Sequence, residues 1–589
     1  MAAAALRATN PNHDEDALRQ ALAEAQQQGG VRVEALEGLP VLPNATAMNY
    51  PEGGPGVIAK RTPEPARTPR EQAQLDELAG MLEHPGDKVT VAQLTDQAFR
   101  PRSAARGIDQ FQHLLETRGI PRFFSPLDKL ALHFLRRAGQ LVAGIAFPLS
   151  KRKIRQDTAH VILPAECKLL VAHLRRRHKM DARVNVNFLG EAVLGENEAA
   201  RRLEQCLEAL ALPEVEVLSI KISTLYSQVS PLAFNHTVEV LCSRLEKLFR
   251  AAAEQNFVRP NGDRVPKFVY LDMEEYRDMH LTAAAFMRTL EISGMKKVSA
   301  GIVLQAYLPD AFAMQQQLNA WARDRVAAGG APIRLRIVKG ANMEMERIEA
   351  ALNGWPQAPF NSKVDTDANF KRMIHEALQE ENLAAVRPGI GSHNLFDIAY
   401  GLVLAKDAGA RNRVRFEMLE GMANHQRRAL ADHAENMLLY APACREEDFI
   451  NAIGYLIRRL DENTGPDNFL RHAFHINVGD PQWERMEKMF QESVHRIEGL
   501  PSRPNRQQDR RLPPKQPKLA DNWHEFANEP DTDFSLPHHT EWAREIIAKW
   551  KPRCGEKATH IPLTIAAEHI TADRDLIEST DPSRPGTAV

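Results

Sequence analysis

The chain has 589 residues, 43% hydrophobic and 26% charged, which suits about two to four folding units with ample core. A formal net charge of −2 gives no reason to expect a nucleic-acid partner. Five scattered cysteines without CxxC spacing argue against a disulfide framework or structural zinc, and no apolar run approaches the roughly 18 residues of a membrane span.

In chain order, residues 13–28 carry the period of an amphipathic helix. The Pro- and Gly-crowded stretch 38–69 reads as an extended arm, so 1–70 form an N-terminal helix and arm. There is no apolar leader, and Asp14, Glu15 and Asp16 do not suit a transit peptide; a soluble, cytoplasmic chain is expected. Residues 71–182 read as a helical domain, with Leu127, Leu130, Ala131, Phe134 and Leu135 as one of its apolar stripes. The basic clusters Lys151–Arg155 and Arg175–Lys179 read as solvated helix ends.

From about residue 183 short β-rich runs alternate with helical patterns. The runs are Val184–Leu189, Val215–Ile222, Phe268–Met273, Ser299–Leu308, Ile333–Val338, Ala385–Gly391, Val414–Leu419 and Met437–Tyr440. Helices are expected over 197–211, 231–255, 275–293, 310–328, 363–382, 395–408 and 424–436. Eight βα units across 183–475 point to an α/β fold of the (β/α)8 barrel type; a doubly wound open sheet is the alternative. Such barrels gather their sites at the C-terminal ends of the strands. Those ends carry Glu191, Lys221, Asp272, Gln305 with Tyr307, Arg336 with Lys339, His393 with Asn394, Glu417 with Glu420, and Tyr440.

The stretch Tyr455–Asn463 follows the eighth strand. Tyr455, Arg458, Arg459 and Glu462 share one helix face, and Ile453, Leu456, Ile457 and Leu460 the other. Two adjacent arginines on a polar face make a fork suited to a carboxylate or phosphate, although an Arg-Arg pair alone is more often an ordinary solvated face. Past residue 495 the Pro- and Arg-rich LPSRPNRQQDRRLPPKQPK reads as a linker, within a C-terminal helix and linker over 476–555.

These motifs together resemble the flavin-dependent proline dehydrogenase domain of bacterial proline utilisation proteins. The match is carried by VNFLGEAV (186–193), IKIS (220–223), YLDMEEY (270–276), GIVLQAY (301–307), RIVKGAN (336–342), GSHN (391–394), LYAPA (439–443) and YLIRRLDEN (455–463). The resemblance implies a distorted (β/α)8 barrel with FAD at the strand C-termini and the last helix over the mouth. It implies that Arg458, Arg459 and Lys221 hold the carboxylate of L-proline, and that Tyr440 packs over the proline ring. Asp272, Tyr455 and Glu462 would order the pocket. Gln305, Arg336, Lys339, Gly340, Ala341, His393 and Asn394 would contact the flavin. One departure is Asn342, where familiar members carry Tyr.

The implied reaction passes hydride from the proline ring to FAD, giving Δ1-pyrroline-5-carboxylate. No GxGxxG occurs, so a Rossmann fold is not expected to hold the flavin. The family passes electrons to membrane quinones, which implies peripheral contact with the inner face of the membrane; an oligomer is left open. Residues 556–589 (PLTIAAEH, then STDPSRPG) resemble the opening of a glutamate-semialdehyde dehydrogenase, and the second activity is not expected in this polypeptide. Two other readings stand beside this one. A metal-dependent barrel lyase would use His393, His425 and His433, whose spacing is not tight, so no metal is expected. A catalytically silent helper would have lost activity altogether.

Overall fold

The computed structural model describes residues 71–589 apart from 72–75, 77, 78, 81, 82, 191, 192, 432, 466, 467, 473–475, 477, 514–521, 523, 525, 527 and 574, and apart from the side chains of 450, 451, 458, 460–464. The helix and arm expected over 1–70 and the strand-end Glu191 lie outside the described residues.

Among the described residues five α-helices precede the barrel: α1 (Pro85–Gln97), α2 (Ala104–Arg118), α3 (Pro126–Ala138), α4 (Ala143–Thr158) and α5 (Cys167–Lys179). Helix α3 starts where its sequence says it should. Pro126 sets the first turn, and Ser125 caps it by accepting from the Asp128 N–H (3.2 Å). Of its predicted stripe only Leu135 is buried, while Leu127, Leu130 and Phe134 face solvent. The basic clusters differ from their reading as solvated ends. Arg155 binds Glu166 (2.5 Å), and Arg177 pairs with the buried Glu420.

Eight parallel strands then close a barrel: β1 (Arg183–Phe188), β2 (Val217–Lys221), β3 (Phe268–Asp272), β4 (Gly301–Gln305), β5 (Ile333–Val338), β6 (Val386–Gly391), β7 (Arg415–Leu419) and β8 (Met437–Cys444). Each pairs with the next, and β8 returns to β1 with Tyr440 opposite Asn185. The two-residue strand Leu163–Pro164 adds to the outer end of β8. The closed order rules out the open sheet. The longer helices between strands are α6 (Glu196–Ala211), α7 (Phe234–Glu254), α8 (Met279–Glu291), α9 (Ala311–Ala327), α10 (Met343–Asn353), α11 (Lys363–Ala377), α12 (Leu395–Asp407) and α13 (Asn424–Ala431). Helix α10 was not anticipated, nor was the small hairpin Asn256–Val258/Arg264–Pro266.

Alternation along the strands sorts the core. Val186, Leu218, Leu271, Ile302, Leu335, Ile390 and Phe416 belong to the main apolar cluster. The opposite face of the strands is polar, with Asn185, Ser219, Asp272, Arg336 and Glu417 all buried. Two glycines make room for that interior. A Cβ on Gly301 would strike the Tyr270 ring at 2.3 Å, and one on Gly389 would reach Glu417 Oε1 at 3.0 Å.

After the barrel come α14 (Phe449–Thr464), α15 (Pro481–His495) and α16 (Pro537–Trp550). Ile453 and Tyr455 of α14 are buried in a second apolar cluster together with Phe111 and Leu115 of α2, so the helical region and α14 share one core. The Pro- and Arg-rich stretch is no solvated linker throughout, because Arg506 is 1% exposed. The final segment holds the exposed hairpin Leu563–Ile565/Glu568–Ile570.

Candidate active site

The centre of the barrel mouth is Asp272, the last residue of β3. It accepts hydrogen bonds from the Tyr440 hydroxyl (2.9 Å) and the Ser219 hydroxyl (3.1 Å), and it pairs with Arg336 of β5. Arg336 also donates to Glu417 of β7 (3.0 Å), and Glu417 accepts from the Tyr270 hydroxyl (2.8 Å). The guanidinium lies between the rings of Tyr270 and Tyr440, at 4.8 and 5.1 Å from their centroids. Burial alone would weaken the charge of Arg336, but Asp272 and Glu417 outweigh it and hold the group well above its ordinary value. Burial and then the Asp272 charge push the Tyr440 hydroxyl well up, so it stays protonated and donates. Asn187 of β1 completes the set by donating to the Tyr440 oxygen.

Lys221 ends β2 directly beside Asp272 in register, but its ammonium faces another carboxylate, Glu274 Oε1 at 3.1 Å. Glu274 is fixed at both ends. Its carboxylate also accepts from the Ser223 hydroxyl, and its carbonyl accepts from Gln305 (3.1 Å) and Asn342 (2.9 Å). Asn342 therefore ties down the loop after β3 through its side-chain amide.

On α14, Arg459 stacks on the buried Tyr455 ring at 5.0 Å. The side chains of Arg458 and Glu462 lie outside the described residues. Arg459 stands close enough to His393 for its charge to act there. Burial first, and then this charge, lower His393 to about 4. His393 Nε2 accepts from the Leu419 N–H (2.9 Å), so the neutral ring carries its proton on Nδ1, which has no partner among the described residues. Gln305 Oε1 and Arg336 Nε are likewise buried without partners.

The remaining predicted contacts sit after β5 and β6. Gly340 has φ +126°, and a Cβ there would strike the Tyr307 ring at 2.5 Å, so only glycine fits between strand end and ring. Ala341 follows it, before α10. Lys339 lies between Asp367 and Asp397, 2.6 Å from each; burial lowers its affinity for the proton, but the two carboxylates raise it further. Asn394 caps α12 by accepting from the Phe396 N–H (3.0 Å). Glu420, expected at the mouth beside Glu417, turns instead to Arg177 and His173 of α5.

Sequence reasoning missed Asn187, Ser219, Tyr270 and Glu274. A signal for the first existed: Asn185 and Asn187 alternate with valines in VNVNF, which places two amides on the inner face of one strand. Among the described residues, one trio has metal-like spacing, Asp509, His538 and His539. Both nitrogens of His539 are already used, Nδ1 with the Asp533 carbonyl (2.7 Å) and Nε2 with the Arg510 N–H (3.0 Å). A cavity of about 1300 Å³ lies between α1–α4 and α14, touching Arg459 but neither Lys221 nor Asp272.

A closed eight-stranded α/β barrel whose buried polar groups converge at the strand C-termini defines the class: a barrel of the kind that houses enzyme active sites at its mouth. The model of the proline dehydrogenase family matches residues 170–472, just over half of the chain, and the chain belongs to that family. Proline dehydrogenase 2 of Bacillus subtilis (strain 168) is 26% identical over 290 residues, covering 49% of this chain and 80% of that protein. Among solved structures, Proline Utilization A (PutA) from Corynebacterium freiburgense is 36% identical with a TM-score of 0.57, over 71% of this chain and 38% of that one. PutA from Bdellovibrio bacteriovorus, inactivated by N-propargylglycine, is 25% identical with a TM-score of 0.68, over 89% and 50%. The chain thus spans half or less of these two PutA chains. No helix among the described residues is long and apolar enough to cross a membrane.

Proposed function

We propose that this chain oxidises L-proline to Δ1-pyrroline-5-carboxylate with FAD as its cofactor and a quinone as electron acceptor, the first step of proline breakdown to glutamate. The observation that carries the reading is the Asp272–Arg336–Tyr440 network at the strand ends, with Lys221 beside Asp272 in register and Arg459 acting on His393, inside the stretch that matches the family.

The residues fit a flavin. An isoalloxazine edge offers carbonyl acceptors and an N–H donor. Among the described residues Gln305 Oε1 is an acceptor without a partner, and His393 Nδ1 and Arg336 Nε are donors without one. When bound, the flavin would supply the hydride acceptor.

The other tasks fall to the chain itself. Lys221 and Arg459, with Arg458 beside it on α14, would hold the substrate carboxylate and so fix which ring carbon faces the cofactor. Tyr440, locked by Asp272 and Asn187, would bound the ring. Tyr455 would support Arg459 from below. Lys339 would act through its two aspartates, holding the loop after β5 rather than offering a bare charge. Contact with a membrane quinone would be a peripheral encounter.

The test is steady-state turnover. Purified protein supplied with L-proline and an artificial dye acceptor should reduce the dye and accumulate an imine that o-aminobenzaldehyde traps. N-propargylglycine, with which the Bdellovibrio relative was inactivated, should abolish that turnover. Dye reduction without any trapped imine would remove this reading.

A further inference from the structure

The loop after β3 is held from two sides. On the inner side, Glu274 fixes Lys221 (3.1 Å) and is itself fixed by Gln305 and Asn342. Two residues on, Tyr276 is fixed from outside. Its N–H donates to Glu346 of α10 (2.7 Å), and its hydroxyl donates to Asp310 (3.2 Å). Its ring lies 5.1 Å from the guanidinium of Arg506.

Arg506 comes from the segment that follows α15 and crosses back over the loops at the barrel mouth. Arg372 receives that segment by donating to the Leu500 carbonyl (3.0 Å), and Asn505 donates to Pro359 (3.1 Å). Arg506 is a plug. Its other face lies 4.8 Å from the Trp355 ring, and its Nε donates to the Pro356 carbonyl (3.2 Å). Its charge meets Glu349 (3.1 Å), Asp533 (3.5 Å) and Glu346 (3.9 Å), while Arg277 approaches Glu349 from outside at 3.9 Å. Removing a buried charge among carboxylates leaves them to repel one another. Here that repulsion falls on Glu346, the acceptor that anchors Tyr276.

We propose that Arg506 is a positioning residue for substrate binding: it clamps the β3 loop through Tyr276 and Glu346, and thereby sets Glu274 and the ammonium of Lys221. This rests on the reading of Lys221 as a contact for the substrate carboxylate. The reach of the effect follows from the geometry, since the two anchors lie on one short loop and the inner one grips Lys221 directly.

The test uses the full chain with Arg506→Met, Arg506→Lys, Glu274→Gln and the double variant Arg506→Met/Glu274→Gln. Hydrogen exchange of peptides covering 273–278 should quicken in Arg506→Met while exchange in the barrel strands stays as in the parent. KM for L-proline should rise about three- to tenfold with kcat within about twofold, as expected when positioning of a ground-state contact is lost. Arg506→Lys, which keeps the charge but not the stacked fork, should fall between, and it decides the matter if the Met variant does not fold. The double variant should be no worse than the worse single one, because both act through the same contact. Unchanged exchange over 273–278, or KM effects that multiply in the double variant, would overturn the proposal. If the parent fails to turn over L-proline, the function reading falls, and the exchange experiment still decides whether Arg506 holds the loop.

Discussion

Asp272 gathers the polar network at the mouth of this barrel. It is the shared acceptor of Tyr440 and Ser219 and the counter-ion of Arg336. Asp272→Asn preserves its shape but strips half of the negative charge that offsets buried Arg336. Breaking a buried pair from one side costs about 3–5 kcal/mol. Thermal unfolding should therefore show a marked loss of stability together with loss of proline turnover. A variant as stable as the parent would mean that Glu417 alone suffices for Arg336. Tyr440 carries a second prediction. A hydroxyl on the substrate ring would meet the aromatic ring or lose its water unpaired, at a cost on the order of 1–3 kcal/mol. Tyr440→Ser should lower the ratio of kcat/KM for proline over hydroxyproline, chiefly through proline; an unchanged ratio places substrate choice elsewhere. His393 adds a pH dependence. Its folded value of about 4 lies below the 6.5 of an ordinary imidazole, so the unfolded chain takes up a proton that the folded one refuses. The stability it contributes is whole above pH 6.5 and is lost as pH falls towards 4. His393→Gln should show a shallower fall of Tm from pH 7 to 5.

Elements were legible where one periodicity ruled. The eight strand runs stood out because each is apolar on its outer face and bounded by turns, and the structure keeps all eight with ends shifted by a few residues. The two faces of α14 came through only in part: Arg459 meets Tyr455 as the i, i+4 spacing requires, but Tyr455, expected on the polar face, is buried with Ile453 in one apolar cluster. Helix α10 was missed because NMEMERIEAALN directly follows the Gly340 turn, where a loop was expected, and its signal is a weak apolar stripe on a charged helix. The polar network of the candidate site was legible at strand ends, where Lys221 and Asp272 stand alone, and illegible inside strands, where Ser219 and Tyr270 look like ordinary sheet residues. Glu274 was missed because its role depends on a loop anchored by residues distant in sequence. Helix α10 also carries a prediction of its own. Burial raises Glu346 to about 7 from an ordinary 4.5, so the folded chain holds its proton longer than the unfolded one. The stability from this group is full below pH 4.5 and is lost as pH rises through 7. Glu346→Gln can still accept from the Tyr276 N–H and should flatten the decline of Tm between pH 6 and 8.

At the scale of the molecule, three pieces of chain meet around one mouth: the barrel strands, α14 shared with the helical region, and the segment carrying Arg506. This arrangement puts the cations of the site on different elements, Lys221 on β2 and the arginines on α14, so a bound carboxylate would join barrel and helix. Loss of one charge-assisted contact should cost about 1.5–3 kcal/mol. Arg459→Met should accordingly raise KM for L-proline roughly ten- to hundredfold with flavin content unchanged. The most direct measurement is an anaerobic titration of the purified protein followed by absorbance. The account predicts a flavin band near roughly 450 nm that L-proline bleaches and that prolinamide, which lacks the carboxylate, leaves intact. A flavin band that survives L-proline, or one that both compounds bleach alike, would contradict it.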